Sequence, residues 1–331
     1  MRVIVVSSYG VKINCRNGML IITRGNNKKV ISPADIEQII LTTSGISIST
    51  KALRTIMRYG IDLVILDSKG LPSARLYLPY ITRTTDSRRL QYVAYTKGNV
   101  ATKYAKSFAE SKILNQALYI KYLGKLHGLN DLISESNEIL SLLNKLSKVS
   151  GDISSTRKVI MNIEAKAARR YWGSLAILLP KDIKFDGRDP DASDEFNKCL
   201  NYLYGVLYSD IFKALCLAGL DPYAGFLHVD RSGKPVLTFD FIEMFRVSAV
   251  DSLLIDVFRS GFRAKIVNGV LDPHSRGELI SRYSNWMRRV VRVVNGRSNE
   301  LRNHIRSYAY RLASSLRNRK VFKGFVERWW I

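Results

Sequence analysis

Short apolar runs separated by turn-forming residues dominate the first part of the chain. The pairs Tyr9-Gly10 and Asn17-Gly18 stand between such runs, a pattern that favours β-hairpins. Ser49 is placed to cap one helix over residues 51–58, which Gly60 would end. Strands are predicted over residues 3–6, 11–15, 19–23, 36–41, 61–66 and 74–78. This part is therefore expected to be a small strand-rich module with one helix.

From Asp86 onward the apolar residues recur every three or four positions, as is typical of helices. Helices are predicted over residues 86–125, 130–148, 155–178, 191–219, 242–260, 275–295 and 297–317. We expect an α+β protein in which a small β-strand-rich N-terminal domain, residues 1–85, precedes a larger all-helical C-terminal domain, residues 86–331.

The chain carries a large excess of positive charge. Its 331 residues include 52 Lys and Arg against 28 Asp and Glu, a net charge of +24. Such an excess attracts polyanions through long-range attraction and counterion release. Nucleic acid is therefore the first partner to consider, and an anionic membrane surface is the alternative.

The charge is also unevenly distributed. Residues 263–331 hold 16 basic and 4 acidic side chains, whereas residues 151–262 hold 14 basic and 15 acidic ones. This distribution of charge is expected when a basic segment binds phosphates while carboxylates elsewhere coordinate a cation.

The cysteines and the hydropathy pattern exclude some classes of protein. Cys15, Cys199 and Cys216 are odd in number and have no C-x-x-C spacing, so neither a disulfide framework nor a thiolate zinc site is indicated. No run of about 18 uncharged apolar residues occurs. We expect a cytoplasmic protein without a membrane partner.

Four residues could carry chemistry. Glu164 borders the apolar stripe of a predicted helix, where an isolated Glu more often pairs with a neighbouring Lys or Arg. His228 precedes a predicted turn over residues 230–235 and a short predicted strand over 236–239, which would bring it near Asp240. Asp240 and Glu243, spaced i and i+3, would project from one side of a helix that begins there.

These residue types suit Mg²⁺ or Mn²⁺ better than zinc, because carboxylate oxygens prefer hard cations. A purely structural interpretation remains open at this point. Asp240 could cap a helix, Glu243 could interact favourably with the helix dipole from the first turn, and His228 could be a buried loop histidine.

The order of motifs resembles that of the CRISPR-associated spacer-acquisition integrases, the Cas1 family. The resemblance covers nearly the whole chain, and it rests on the ordered set because no single motif is exclusive. Glu243 stands in place of an Asp, which lengthens the reach of that carboxylate. The matching segments are Ile163-Glu164-Ala165-Lys166-Ala167-Ala168, Asn197–Tyr204, Gly219–His228 and Asp240–Arg246.

The resemblance implies an enzyme that uses Mg²⁺ or Mn²⁺ to cleave DNA and to join a prespacer 3′-hydroxyl to a CRISPR repeat. It implies that Glu164, His228 and Asp240 are the metal ligands and that Glu243 is an accessory catalytic carboxylate. It further implies double-stranded DNA as substrate, a homodimer formed largely through the first domain, and binding to the small Cas2 protein.

Basic residues around the site and in the C-terminal segment are candidates for phosphate contacts. They are Arg169, Arg170, Arg246, Arg282, Arg288, Arg289, Arg292, Arg302 and Arg306. Two other functions remain open: a non-catalytic DNA-binding scaffold, and a metal nuclease that acts on RNA.

Overall fold

The first part of the chain folds into two four-stranded sheets. The computed structural model describes residues 2–67, 72–76, 85–294 and 296–329. One sheet has the strand order β1-β5-β7-β8, with β8 antiparallel to its neighbour, and the other has the order β4-β3-β2-β6. The strands are β1 Arg2–Val6, β2 Lys12–Arg16, β3 Met19–Arg24, β4 Asn27–Ile31, β5 Ile36–Leu41, β6 Ser47–Ile48, β7 Asp62–Leu66 and β8 Pro72–Leu76.

Local sequence signals explain the turns and the one helix of this part. Asn17 and Gly18 both adopt positive φ, as a tight turn between β2 and β3 requires. Helix α1, Thr50–Arg58, begins where predicted, because the Ser49 hydroxyl accepts a hydrogen bond from the Ala52 amide. All six predicted strands are present, although β2 and β7 begin one residue later than predicted; positions 77 and 78 of the last one lie outside the described residues.

Nine α-helices dominate the described residues after Thr85. They are α2 Thr85–Thr96, α3 Gly98–His127, α4 Asn130–Ser147, α5 Ile153–Ala176, α6 Glu195–Leu217, α7 Val236–Ile242, α8 Ser252–Arg259, α9 Pro273–Trp286 and α10 Leu301–Arg317. The mixed α+β class with strands first and helices second is therefore confirmed. The predicted helix over residues 86–125 is instead two helices, because Lys97 leaves the helical conformation with ψ of 84°.

Three details of the helical part differ from the prediction. It is not all-helical, since Ile266–Val267 pairs with Val270–Leu271 (β9 and β10) and Val290–Arg292 pairs with Ser298–Glu300 (β11 and β12). The predicted strand over residues 236–239 is the first part of α7. A π-helical turn, Val247–Asp251, then links α7 to α8. Such turns are frequent at functional sites.

The two parts share buried surface. Ile40, Val64 and Leu66 of the strands pack into the apolar core of the helices, while a second apolar cluster lies within the strand-rich part. The predicted boundary at residue 85 directly follows residues 77–84, which lie outside the described residues, and the division into domains stays a prediction. No described helix is both long and apolar enough to cross a membrane.

Candidate active site

Four parts of the helical region meet around the predicted site residues. Lys112 lies in the middle of α3 and Glu164 in the middle of α5. His228 lies in the loop between α6 and α7, Asp240 lies within α7, and Glu243 follows its last residue. The structure thus brings together side chains that are far apart in the sequence.

The orientation of Glu164 follows from the buried stripe of α5. Ile160, Ile163 and Ala167 are buried and form the face that packs towards the core. Glu164 lies beside this stripe and is partly buried, so its carboxylate points towards α3 rather than into solvent.

Asp240 is fully buried, and donors surround its carboxylate. Oδ2 accepts hydrogen bonds from the amides of Phe226 (2.6 Å) and Leu227 (2.9 Å), and Oδ1 accepts one from the amide of His228 (3.0 Å). Oδ1 also lies 2.7 Å from Nδ1 of the His228 ring. The loop approaches closely because residue 225 is Gly; a Cβ there would lie 2.9 Å from Oδ2. Asp240 therefore orients His228 and the loop that carries it.

The imidazole of His228 is hydrogen-bonded to Asp240 through one ring nitrogen, Nδ1. Burial lowers the pKa of His228, but the hydrogen bond and charge of Asp240, together with the charges of Glu243 and Glu164, outweigh burial and raise it overall. Because Nδ1 faces Asp240, Nε2 is the nitrogen left for a ligand. The His228 side chain keeps 32% of its surface exposed, so a ligand can reach it.

A lysine joins the other two predicted carboxylates. The ammonium Nζ of Lys112 lies 2.5 Å from Oε1 of Glu164 and 2.6 Å from Oε2 of Glu243. Burial lowers the pKa of Lys112, but these two carboxylates outweigh burial and raise it. Sequence reasoning missed Lys112, because its partners lie on other segments and its burial appears only in the fold.

Glu243 is nearly enclosed by positive groups. Its Oε1 lies 2.9 Å from Nη1 of Arg246, in addition to the contact of Oε2 with Lys112. Burial raises the pKa of Glu243, but the charges of Arg246 and Lys112 outweigh burial and lower it to about 2. The carboxylate is therefore ionised at neutral pH.

An aromatic network stands behind Arg246. The guanidinium lies 4.6 Å from the ring centre of Tyr204, whose hydroxyl donates to the buried carboxylate of Asp251 at 2.5 Å. The Tyr171 hydroxyl of α5 donates to the other oxygen of Asp251 at 2.8 Å. Sequence reasoning missed Asp251 as well, although an isolated acid in the apolar run 247–255 indicates a buried carboxylate.

An open cleft adjoins these groups. It encloses about 660 Å³ and is lined by aromatic and basic side chains, among them Tyr204, Phe239, Arg188 and Arg246. Phe239 lies beside the His228 ring and Arg246 contacts Glu243, so the cleft borders the candidate site. Positive and aromatic surfaces of this kind suit nucleotides.

The donor set fits a divalent cation, although the described residues contain no group of three acidic, His or Cys side chains already close enough to hold one. The Lys112 ammonium lies between Glu164 and Glu243 in their present positions. Oε2 of Glu243 is buried, and the partner it contacts is the Lys112 ammonium at 2.6 Å. Two carboxylates and an imidazole nitrogen are ligands that Mg²⁺ and Mn²⁺ accept.

The arginines predicted to bind phosphates differ in their surroundings. Several are held in ion pairs: Arg170 with Glu135 and Glu138, Arg282 with Glu278, Arg289 with Glu327, and Arg302 and Arg306 with Glu37. Arg169, Arg288 and Arg292 are exposed. Arg169 follows Glu164 by five residues and so points roughly 140° away around the helix. Within this set, Arg246 contacts a predicted catalytic residue, Glu243.

Comparison with known proteins identifies the family. The family model described as CRISPR associated protein Cas1 matches residues 4–285. This chain belongs to the Cas1 family. A curated relative, CRISPR-associated endonuclease Cas1 2 of Saccharolobus solfataricus, is 38% identical over 328 residues, which cover 98% of each chain.

Solved structures show the same fold. A casposase bound to integration product has a TM-score of 0.82 at 24% identity, over 98% of this chain and 93% of the casposase. A Cas6-RT-Cas1–Cas2 complex has a TM-score of 0.76 at 19% identity, over 97% of this chain and 36% of that longer one. The family model and the curated relative confirm the family resemblance deduced from the ordered motifs.

Proposed function

We propose that this protein is a divalent-metal-dependent DNA endonuclease and integrase that inserts prespacer DNA into a CRISPR array. The observation that carries the proposal is that Lys112 joins Glu164 to Glu243, that the charges of both carboxylates act on His228, and that a basic, aromatic cleft adjoins them. Family membership, a relative named as a Cas1 endonuclease and a casposase neighbour with an integration product support it.

We propose Mg²⁺ or Mn²⁺ as the cofactor, held by Glu164, Nε2 of His228 and Glu243. The sequence predicted Asp240 as the third ligand and Glu243 as an accessory group. The contacts favour the exchange of these two roles, because both Asp240 oxygens already accept hydrogen bonds from backbone amides. Asp240 then acts as a positioning residue, since carboxylates commonly orient metal-bound imidazoles through the other ring nitrogen.

The residues divide the chemistry among them. A bound divalent cation neutralises charge on phosphoryl oxygens and orients the attacking oxygen. Arg246 lies on the cleft side of Glu243 and adds a fixed positive charge for the phosphodiester. Attack by water gives cleavage, and attack by a DNA 3′-hydroxyl gives strand transfer, so one site serves both reactions.

A joining assay tests this function. Duplex DNA with free 3′-hydroxyls is incubated with a repeat-containing plasmid and Mg²⁺ or Mn²⁺, with Cas2 supplied. We expect Glu164→Ala, His228→Ala and Glu243→Ala to lower joining by about 10²-fold or more while duplex binding is kept. Glu110→Ala, at an exposed position of α3, is the matched control and should join like the wild type.

The same assay separates the competing functions. A DNA-binding scaffold predicts that neither the wild type nor the three variants give joined product, whether the 3′ ends of the substrate are free or blocked. An RNA nuclease predicts faster cleavage of single-stranded RNA than of any DNA substrate. Either result would overturn the proposal.

We also propose that the protein acts as a homodimer together with Cas2. Strand β4 supports the dimer, because it is an edge strand whose backbone can pair with another chain. The structural similarity to a chain of a Cas6-RT-Cas1–Cas2 complex supports Cas2 as a partner. Light scattering after gel filtration, with and without Cas2, measures both states directly.

A further inference from the structure

The Lys112 ammonium lies where the proposed ligands would hold their ion. It contacts one oxygen of Glu164 from α5 and one oxygen of Glu243 from the end of α7, at 2.5 and 2.6 Å. All three side chains are mostly buried, with 12%, 14% and 5% of their surfaces exposed. A single positive charge thus bridges two carboxylates from separate helices.

An ammonium and a divalent ion exclude each other from this position. Mg²⁺ binds carboxylate oxygens at about 2.0–2.1 Å, so an ion shared by Glu164 and Glu243 would fill the space that Nζ occupies. A protonated lysine has no lone pair to offer an ion. Two positive charges in one buried pocket also repel each other.

The backbone that carries Lys112 is anchored. Asn115, one turn later on α3, donates to the carbonyl oxygens of Met244 at 3.1 Å and Phe325 at 2.8 Å. Ser111 donates to the Phe325 carbonyl as well. Because α3 is fixed against both segments, the flexible lysine side chain is the part that is free to move.

We propose that Lys112 is a built-in counter-cation that holds Glu164 and Glu243 in the metal-free protein and is displaced by the ion they bind. The inference rests on the proposed function. In the metal-free state the charge of Lys112 offsets the repulsion between the two buried carboxylates and keeps Glu164 and Glu243 close together. After displacement its charge stays on α3 beside Arg246, near the cleft where a phosphodiester would bind.

Calorimetric titration of the DNA-free protein with Mn²⁺ tests the proposal. Lys112→Met removes the competing charge and nearly keeps the volume, so we expect Mn²⁺ to bind about tenfold tighter or more, within the usual range of coupling between two ligands. Lys103→Met, exposed on the same helix, should bind like the wild type. Equal or weaker Mn²⁺ binding by Lys112→Met would overturn the proposal.

Thermal melting gives a second readout. Metal-free Lys112→Met should melt below the wild type, because two buried carboxylates lose their counter-charge. Adding saturating Mn²⁺ should raise its melting temperature by more than it raises that of the wild type. An identical rise in both proteins counts against displacement.

Glu164→Ala distinguishes failure of this inference from failure of the proposed function. If the wild type and Glu164→Ala bind Mn²⁺ alike, the metal site itself is wrong and both proposals fall. If wild-type binding requires Glu164 but Lys112→Met gains no affinity, only the role of Lys112 falls. Should Lys112→Met not fold, a crystal structure of the wild type with Mn²⁺ decides: a bound ion with Nζ still touching both carboxylates refutes displacement.

Discussion

Asp240 concentrates four hydrogen bonds on one buried carboxylate, three from backbone amides and one with the His228 ring. Asp240→Asn keeps the shape but replaces one acceptor oxygen with an NH₂ group, which faces donors. We expect the free energy of unfolding to fall by about 1–3 kcal/mol, the usual cost of an unpaired buried donor. We also expect the pKa of His228 to fall, because burial then acts with less opposition.

Proton NMR of the metal-free protein measures this pKa, with the ring of the half-buried His127 as internal reference. Asp256→Asn, which removes a charge at an exposed position of α8, is the control and should leave His228 unchanged. If the His228 titration were the same in Asp240→Asn and the wild type, Asp240 would not be its positioning residue.

The sequence predicts the residue types of the site better than their orientations. Glu164, His228, Asp240 and Glu243 do come together, but the i, i+3 argument for Asp240 and Glu243 assumed a helix that begins at Asp240. The helix begins four residues earlier, so Asp240 lies inside it and faces the loop 226–228. Lys112 could not be deduced from spacing, because its contacts are made only when separate helices pack.

At the scale of elements, the site depends on how α5 and α6 are fixed against the π-helical turn. Hydrophobic periodicity predicts α5, because this helix buries one apolar face. In α6 the consecutive residues 202–207 are all buried, so its length favours a helix more than a polar face does. Periodicity does not predict the π-helical turn or α7, where nearly every residue is buried and no polar face reveals the helical period. The carboxylate of Asp251 connects these three elements.

Tyr171→Phe tests this connection. The Tyr171 hydroxyl donates to Oδ2 of the buried Asp251, while Tyr204 donates to Oδ1. Removing one donor leaves a buried carboxylate oxygen unsatisfied, so we expect the free energy of unfolding to fall by about 1–3 kcal/mol. Urea unfolding measures the change, and Tyr310→Phe, at an exposed position of α10, should show none. Equal stability of Tyr171→Phe and the wild type would show that the bond contributes nothing.

At the scale of the molecule, the net charge of +24 agrees with membership of a family whose curated relatives are named endonucleases. It could not show which arginines reach DNA, because ion pairs occupy several of the predicted ones. Arg302 and Arg306, candidates for phosphate contacts from the sequence, form ion pairs with Glu37 of the strand-rich part. Some basic residues of the C-terminal segment therefore join the two parts of the chain.

Asp62 of β7 is the centre of a second junction between the same parts. Its carboxylate lies 2.5 Å from Nη2 of Arg75 on β8 and 3.1 Å from Nζ of Lys213 on α6, and it accepts a hydrogen bond from Gln38 at 2.7 Å. Burial raises the pKa of Asp62, but Arg75, Lys213 and Gln38 outweigh burial and lower it from 3.8 to about 2.

The lowered pKa makes this junction sensitive to acid. Because the folded protein holds the ionised form more tightly, Asp62 contributes about 2 kcal/mol above pH 4, and this contribution is lost as the pH falls towards 2. Asp62→Asn should lower the free energy of unfolding by about 2–4 kcal/mol at pH 7, since Arg75 and Lys213 lose their partner. The difference in free energy of unfolding from the wild type, measured by urea unfolding at several pH values, should narrow below pH 4.

Asp35→Asn, an exposed change in the same part of the chain, is the control, and its difference from the wild type should be small and should not vary with pH in this way. A difference for Asp62→Asn that stays constant down to pH 2 would show that the junction is not held by the ionised carboxylate.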